Sequence, residues 1–329
     1  MHTPAVPPDL RFAAIDLGAT SIDVEITDGH LEPIAAYGEP ADIHSGPRTI
    51  LNRLREILGK FRVDGAYGRL HAIGIGVPGP VSFRDGFPVG SPTMPGWERY
   101  PLREVLSREH ACPVLLDNDA NIMAIGERHR GVAHSVDNLL FVKLGTGIGC
   151  GIVVNGELYR GADGCAGDIG HIPVDPRGLV CACGHVGCLE ALFGGGALRR
   201  SGIAAARAGT SPALAARLAN ARVVTARDVA EAMAGGDPFC TRLVRTGARR
   251  LGTVLAGLVN IVNPAMIVIG GGLAGLGHPL LTEIRSEVYR RSTSIAGGNL
   301  PIVRSELGSR AGVVGAAVLA GDLAYGSRR

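Results

Sequence analysis

The chain has 329 residues, 46% of them hydrophobic and 4% aromatic, with 49 glycines. That is enough apolar sequence for a large core, the length predicts two domains, and the glycine content points to an α/β protein rich in tight turns rather than a helical bundle or a disordered chain. A net charge of +3 gives no reason to expect nucleic acid or an anionic membrane as the main partner, and seven cysteines, an odd number, fit a reducing cytoplasm better than a disulfide framework.

Residues 1–10 carry three prolines and lack the apolar centre of a secretory signal. Residues 12–15 read as a strand, 16–21 as a turn and 22–26 as a second strand. In the turn, Asp16 at a strand end is followed by Gly18, Ala19 and Thr20. Such an N–H-lined bend with a hydroxyl can hold phosphate oxygens and a hydrated Mg²⁺, although the same pattern also makes an ordinary hairpin turn. Residues 49–61 have the spacing of an amphipathic helix. Residues 71–77 form a buried strand that stops at Pro78, Gly79 and Pro80, a rigid bend where backbone can approach a substrate. The loop 91–97 carries Trp97, the only tryptophan, which reads as a packing anchor.

A short strand at 114–116 leads into Asp117, Asn118, Asp119 and Asn121 and then a helix over 122–130. Two carboxylates and two amides at a strand's carboxyl end lie where open α/β sheets bind ligands; one of the four is expected to cap the helix. Residues 139–154 are two apolar runs around Gly145, Thr146, Gly147 and Gly149, a hairpin whose bare backbone suits a ligand. Gly167, Asp168, Gly170 and His171 follow, then Cys181, Cys183, His185, Cys188 and Glu190.

Three cysteines that close together predict a metal, and four protein ligands predict structural zinc. His171 suits the fourth position better than His185, which sits between two of the cysteines. Residues 197–236 are helical, rich in alanine and in solvated arginines. The long uncharged run 251–282 could span a membrane by length, but Asn260, Asn263, Pro264 and a glycine triplet argue for a buried helix and then a buried strand. That strand, 265–269, breaks into Gly270, Gly271 and Gly272, where a base or phosphate can rest on backbone. Residues 311–317 begin a helix of small residues able to pack tightly. No solenoid period or heptad repeat is present.

In this order, the Asp16 to Thr20 turn, the Pro78 to Pro80 bend, Asn118 to Asn121, the 143–149 turn, Gly170 with His171, the cysteine motif ending at Glu190, and the 270–272 triplet resemble the ROK family of sugar kinases and repressors. The likeness runs from about residue 11 to 326, and the cysteine motif is its most specific part. It implies an actin-like ATPase (ribonuclease H-like) α/β fold with two domains around a central cleft: residues 1–123 completed by 312–329, and residues 124–311 with the zinc loop and an oligomer interface. It implies ATP contacts at Asp16, Gly18, Ala19 and Thr20, at Gly145, Thr146 and Gly147, and at Gly270, Gly271 and Gly272. Asp119 matches the catalytic base, with Asp117 as its rival on the sequence alone. Sugar contacts are implied at Gly79, Thr93, Asn118, Asp168, His171 and Glu190, and Zn²⁺ ligands at His171, Cys181, Cys183 and Cys188. ATP, Mg²⁺ and structural Zn²⁺ are the expected cofactors, and a cytoplasmic homodimer or homotetramer the expected assembly.

Three positions depart from the family's common pattern: Ala19 replaces a glycine, Asp168 a glutamate, and Thr93 an asparagine. The first puts a methyl where backbone usually nears phosphate. The other two touch expected sugar contacts, so an N-acetylhexosamine, a fructose-like ketose or a cyclitol competes with glucose; separately, the sequence leaves polyphosphate open beside ATP as the donor. A sugar-sensing repressor is not expected, because only fifteen residues precede Asp16; a non-catalytic sugar-binding protein is the remaining alternative of another class.

Overall fold

The computed structural model describes residues 9–90, 94–221 and 223–325. In chain order β1 (Phe12–Leu17), β2 (Ser21–Thr27) and β3 (Pro33–Pro40) lead to α1 (Pro47–Val63), β4 (Ala72–Val77), the short strands β5 (Val81–Ser82) and β6 (Phe87–Pro88), α2 (Leu102–His110), β7 (Val114–Asn118) and α3 (Asp119–Arg130). Then come β8 (Leu139–Leu144), β9 (Ile148–Val154), β10 (Glu157–Leu158), α4 (Leu189–Phe193), α5 (Gly195–Arg207), α6 (Pro212–Ala221), α7 (Ala226–Ala234) and α8 (Pro238–Val262). The last elements are β11 (Met266–Gly270), α9 (His278–Arg291), α10 (Ser294–Gly297), β12 (Ile302–Arg304) and α11 (Ala311–Tyr325).

Contacts divide the chain into two compact units. One takes the residues up to Ser135, Leu158–Ala166 and the residues from Glu306 onward; the other takes Val136–Glu157 and Gly167–Ser305. Each unit holds a five-stranded sheet, ordered β3-β2-β1-β4-β7 in the first and β10-β9-β8-β11-β12 in the second. In the first, β1 runs antiparallel to β2 and parallel to β4, and β4 is parallel to β7. In the second, β8 runs antiparallel to β9 and parallel to β11, and β11 is parallel to β12. The two units repeat one plan.

The sequence explains the central strands. β1 and β4 are buried along their whole lengths, and their apolar runs, interrupted in β1 only by Asp16 near its end, suit strands covered on both faces. α1 starts with Pro47, whose missing N–H costs nothing at a helix start, and buries Ile50, Leu51, Leu54, Ile57, Leu58 and Phe61 at helical spacing. Trp97 is fully buried and its indole N–H donates to the Ile43 carbonyl at 3.1 Å, the anchoring role expected of it. α3 begins at Asp119, three residues before the expected start at 122, because Asn118 caps it by accepting from the Ala120 N–H at 2.9 Å. No described helix is long and apolar enough to cross a membrane; the run 251–282 divides into the end of α8, β11 and the start of α9.

α11 is buried along most of its length and made largely of glycine, alanine and valine. Its backbone reaches other backbone directly: a Cβ added at Gly315 would lie 1.7 Å from the Ile122 carbonyl oxygen of α3, and one at Gly74 of β4 would lie 1.9 Å from the Ala316 carbonyl oxygen. Neither obstacle is a flexible side chain, so the helix must move if either hydrogen is replaced. Gly315→Ala is expected to destabilise the fold by about 1–3 kcal/mol in urea unfolding, the usual cost of overpacking. Gly257→Ala in α8, where an added Cβ meets nothing within 4 Å, should be neutral or gain up to about 1 kcal/mol of helix propensity.

Candidate active site and metal centre

In the first unit three parallel strands end side by side. The register sets Asp16 of β1 opposite Gly76 of β4, and Gly76 opposite Asp117 of β7, so the sheet's carboxyl edge carries the loops singled out from sequence. Asp16 is 5% exposed. A Cβ at Gly312, in the first turn of α11, would fall 1.8 Å from its Oδ2, so the bare glycine makes room for the carboxylate at the helix end that favours anions. The turn beyond Asp16 is closed by the Gly18 N–H donating to the Ser21 carbonyl at 2.9 Å, and Thr20 is exposed. Ala19 is half-buried and packs against the unit's hydrophobic core, which is where the extra methyl goes.

Asp117 and Asp119 stand in different surroundings. Asp117 Oδ2 accepts from Arg160 Nε at 2.8 Å, and its Oδ1 accepts from the Asn118 N–H at 2.7 Å and from Asn121 Nδ2 at 2.8 Å. Its carboxylate is committed to holding the strand–helix junction. Asp119 opens α3 and is 4% exposed. Asn118, besides capping the helix, donates from Nδ2 to the Gly79 carbonyl at 2.8 Å, which ties the Pro78 to Pro80 bend to the same junction. Thr93 lies outside the described residues.

In the second unit the turn after β8 closes with the Gly145 N–H donating to the Gly147 carbonyl at 2.9 Å. Glu190 Oε2 accepts from the Ile148 N–H at 3.0 Å, and a Cβ at Gly147 would lie 2.5 Å from that oxygen. The carboxylate is therefore pinned against the glycine turn, and Thr146 is exposed. The Gly195 N–H donates to the Gly145 carbonyl at 2.9 Å, so glycines at the start of α5 hold the turn from the other side. The strand β11 ends beside β8, with Gly270 opposite Lys143. Gly271 takes φ +81°, and a Cβ there would lie 2.4 Å from the Leu144 carbonyl, whereas Gly272 faces open space.

His171, Cys181, Cys183 and Cys188 converge, with one donor atom from each lying within 4.8 Å of the others. His171 Nδ1 is 3.4 Å from Cys181 Sγ, and Cys183 Sγ is 3.6 Å from Cys188 Sγ. His185 is outside the group but its Nδ1 lies 3.4 Å from Cys183 Sγ. Two antiparallel bridges, Pro173 with Cys188 and Val180 with Val186, fold the loop back on itself and bring the cysteines together. Burial pushes the Cys188 thiol up to about 12 and raises that of Cys181. Cys183, despite burial acting the other way, is drawn down to about 6 by hydrogen bonds from His185 and the two cysteines. The protein by itself favours one thiolate of the three, and a bound cation would supply the charge for the others. Three sulfurs and an imidazole suit a tetrahedral divalent ion of borderline softness. Asp168 Oδ1 is 3.9 Å from the other ring nitrogen of His171; burial raises its carboxyl above the ordinary range, against the pull of that ring.

Two features escaped the sequence reading. Arg160 gave no signal, since its partner Asp117 is 43 residues away. The pair Gly194 and Gly195 was visible as part of a glycine triplet, but only the packed turn reveals its use.

Two repeats of one mixed sheet, with glycine turns and carboxylates at strand ends, define an α/β protein of the actin-like ATPase fold. The chain belongs to the ROK family, which matches residues 12–322. It is 35% identical to a glucokinase of Halalkalibacterium halodurans, over 93% of this chain and 94% of that one. A solved ROK glucokinase of Streptomyces griseus, in complex with glucose and AMPPNP, is similar at 29% identity and TM-score 0.82, covering 94% of this chain and 99% of the other. A ROK family transcriptional regulator homologous to the MLC protein of E. coli is similar at 28% identity and TM-score 0.84, covering 97% of this chain and 80% of its own.

Proposed function

We propose that this protein is an ATP-dependent kinase for a hydroxyl of a hexose, with the 6-hydroxyl of glucose as the first candidate. The observation that carries the reading is the placing of Asp119 in the first turn of α3, at the carboxyl end of β7, where open α/β sheets bind ligands, beside an Asp117 held by Arg160 and Asn121. The glucokinases among the relatives support the same reaction.

In this mechanism Asp119 accepts the hydroxyl proton while the hydroxyl oxygen attacks the γ-phosphorus in line; the bond to the bridging oxygen breaks and ADP leaves. The transition state is loose, so positioning and charge balance carry most of the rate enhancement. Backbone N–H groups of the Asp16 to Thr20 and Gly145 to Gly147 turns serve the phosphates, and the 270–272 triplet serves the adenosine. Gly79, Asn118, Asp168, His171 and Glu190 serve the sugar, with Thr93 as a further contact. Asp16, a buried carboxylate with a cleared space at Gly312, would hold Mg²⁺, which when bound neutralises phosphate charge. His171, Cys181, Cys183 and Cys188 would hold a structural Zn²⁺, fixing the loop between the His171 and Glu190 sugar contacts.

A second reading, a sugar-responsive regulator without turnover, is favoured by the close likeness to a ROK regulator. A coupled ADP-release assay with ATP and Mg²⁺ over glucose, mannose, N-acetylglucosamine, N-acetylmannosamine, fructose, allose and a cyclitol separates the two. Saturable turnover on one sugar is expected; sugar binding by calorimetry with no ADP release would establish the regulator. Asp119→Asn should lower kcat by about 10²- to 10⁴-fold, the usual worth of a general base, with the sugar dissociation constant nearly unchanged.

Cys183→Ser should lose zinc, measured by elemental analysis, and melt at a lower temperature; full zinc content in that variant would remove Cys183 from the ligand set. Asp168→Glu, which restores the longer carboxylate of the family pattern, should raise kcat/KM on glucose by up to about tenfold if that position tunes the sugar. An unchanged ratio of glucose to other sugars would make the shortening neutral.

A further inference from the structure

The segment Leu158–Ala166 belongs to the first unit although both its flanks belong to the second. It is a strap laid on the strand ends. The Ala166 N–H donates to the Arg160 carbonyl at 3.1 Å, closing the strap into a loop. Gly164, at φ +79°, lies so close to the β5 backbone that a Cβ would fall 2.2 Å from the Val81 carbonyl oxygen. Arg160 stands at the start of this loop, its guanidinium carbon 3.9 Å from the centroid of the Phe83 ring and its Nε on Asp117.

We infer that Arg160 is a positioning residue for phosphoryl transfer, fixing through Asp117 the backbone that carries Asp119. The inference rests on the kinase reading and deepens it. The Asp117 side chain is 2% exposed, and a buried carboxylate needs a partner that is itself held still. Arg160 is such a partner, because its planar fork is held by the ring as well as by the ion pair. Asp117 passes the constraint on: one oxygen grips the Asn118 N–H at the strand end and the Asn121 side chain in the first turn of α3. Asp119 lies between those two residues. Asn118 extends the same tie to Gly79, so the bend proposed to meet the sugar and the base proposed to deprotonate it share one anchor. A lysine would keep the charge but lose the planar fork and the stacking.

The test uses the full chain with Arg160→Ala, Arg160→Lys and the double variant Asp117→Asn with Arg160→Gln, which leaves no unpaired buried charge if the single change prevents folding. Steady-state kinetics on the best sugar, thermal melting, and hydrogen exchange at the amides of Ala120 and Asn121 are the readouts. Arg160→Ala should lower kcat about 10- to 100-fold, the effect of a small misplacement of a catalytic group, while both KM values stay within about threefold. Added guanidinium ion should restore part of that kcat, and Arg160→Lys should recover thermal stability more fully than kcat. In every variant exchange should quicken at Ala120 and Asn121 and not in the second unit's sheet. An unchanged kcat, or an unchanged exchange rate at those amides, would overturn the inference, as would a loss of kcat that merely follows a global loss of fold. A wild-type chain silent on every sugar would overturn the kinase reading instead, and the exchange data would still decide whether Arg160 anchors the junction.

Discussion

Buried carboxylates at the ends of parallel strands set the terms for the first unit. Asp16, Asp117 and Asp119 are 5%, 1% and 4% exposed, and a charge removed from water must be met by donors or opposite charge. The fold meets each differently. Asp117 has an arginine and two nitrogen donors from its own junction. Asp119 lies in the first turn of α3 and Asp16 beside the first turn of α11, the helix end at which negative charge is favoured. That requirement explains the glycine at 312 in α11, since only a bare Cα there admits the Asp16 carboxylate. The core packing and the chemistry at the strand ends are one arrangement seen from two sides.

The second unit reaches a comparable edge by other means. Its turn after β8 is held by glycine backbone from the head of α5 and by Glu190 on the Ile148 N–H. Glu190 follows a loop with almost no regular structure, a short 3₁₀ turn over Ile169–His171 and two isolated bridges before α4. Such a stretch lacks the ladder hydrogen bonds that stiffen a strand. Four converging donors supply the missing constraint when they share one ion, and they do so two residues before the carboxylate whose position matters. A shared ion together with these hydrogen bonds would perform for Glu190 what the arginine strap performs for Asp117.

Local pattern announced the strands, because β1, β4 and β11 are short apolar runs between turn residues, and announced the cysteine cluster, whose ligands lie close in sequence. It placed the start of α3 three residues late, since Asp119 and Asn121 read as loop polarity until Asn118 is seen capping them. It could not rank Asp117 against Asp119. Their surroundings differ through Arg160, brought to the junction by a strap whose flanks belong to the other unit, and no period of two or 3.6 residues encodes such a contact. Gly315 and Gly74 show the same limit: the small residues of 311–317 hinted at close packing, but the carbonyls that Gly315 and Gly74 touch come from α3 and α11.

A fold shared by glucokinases and by transcriptional regulators cannot itself decide between turnover and sensing. Both need a sugar pocket, and a stabilised loop with Glu190 and His171 would serve either. The groups that only catalysis needs are a base and phosphate turns held in register with it. Arg160 stacks on Phe83 and neutralises the buried Asp117, and in the kinase reading it thereby steadies the residue two positions further on. Catalysis asks more of that junction than sensing does, because a base must be held within hydrogen-bond reach of the hydroxyl it deprotonates.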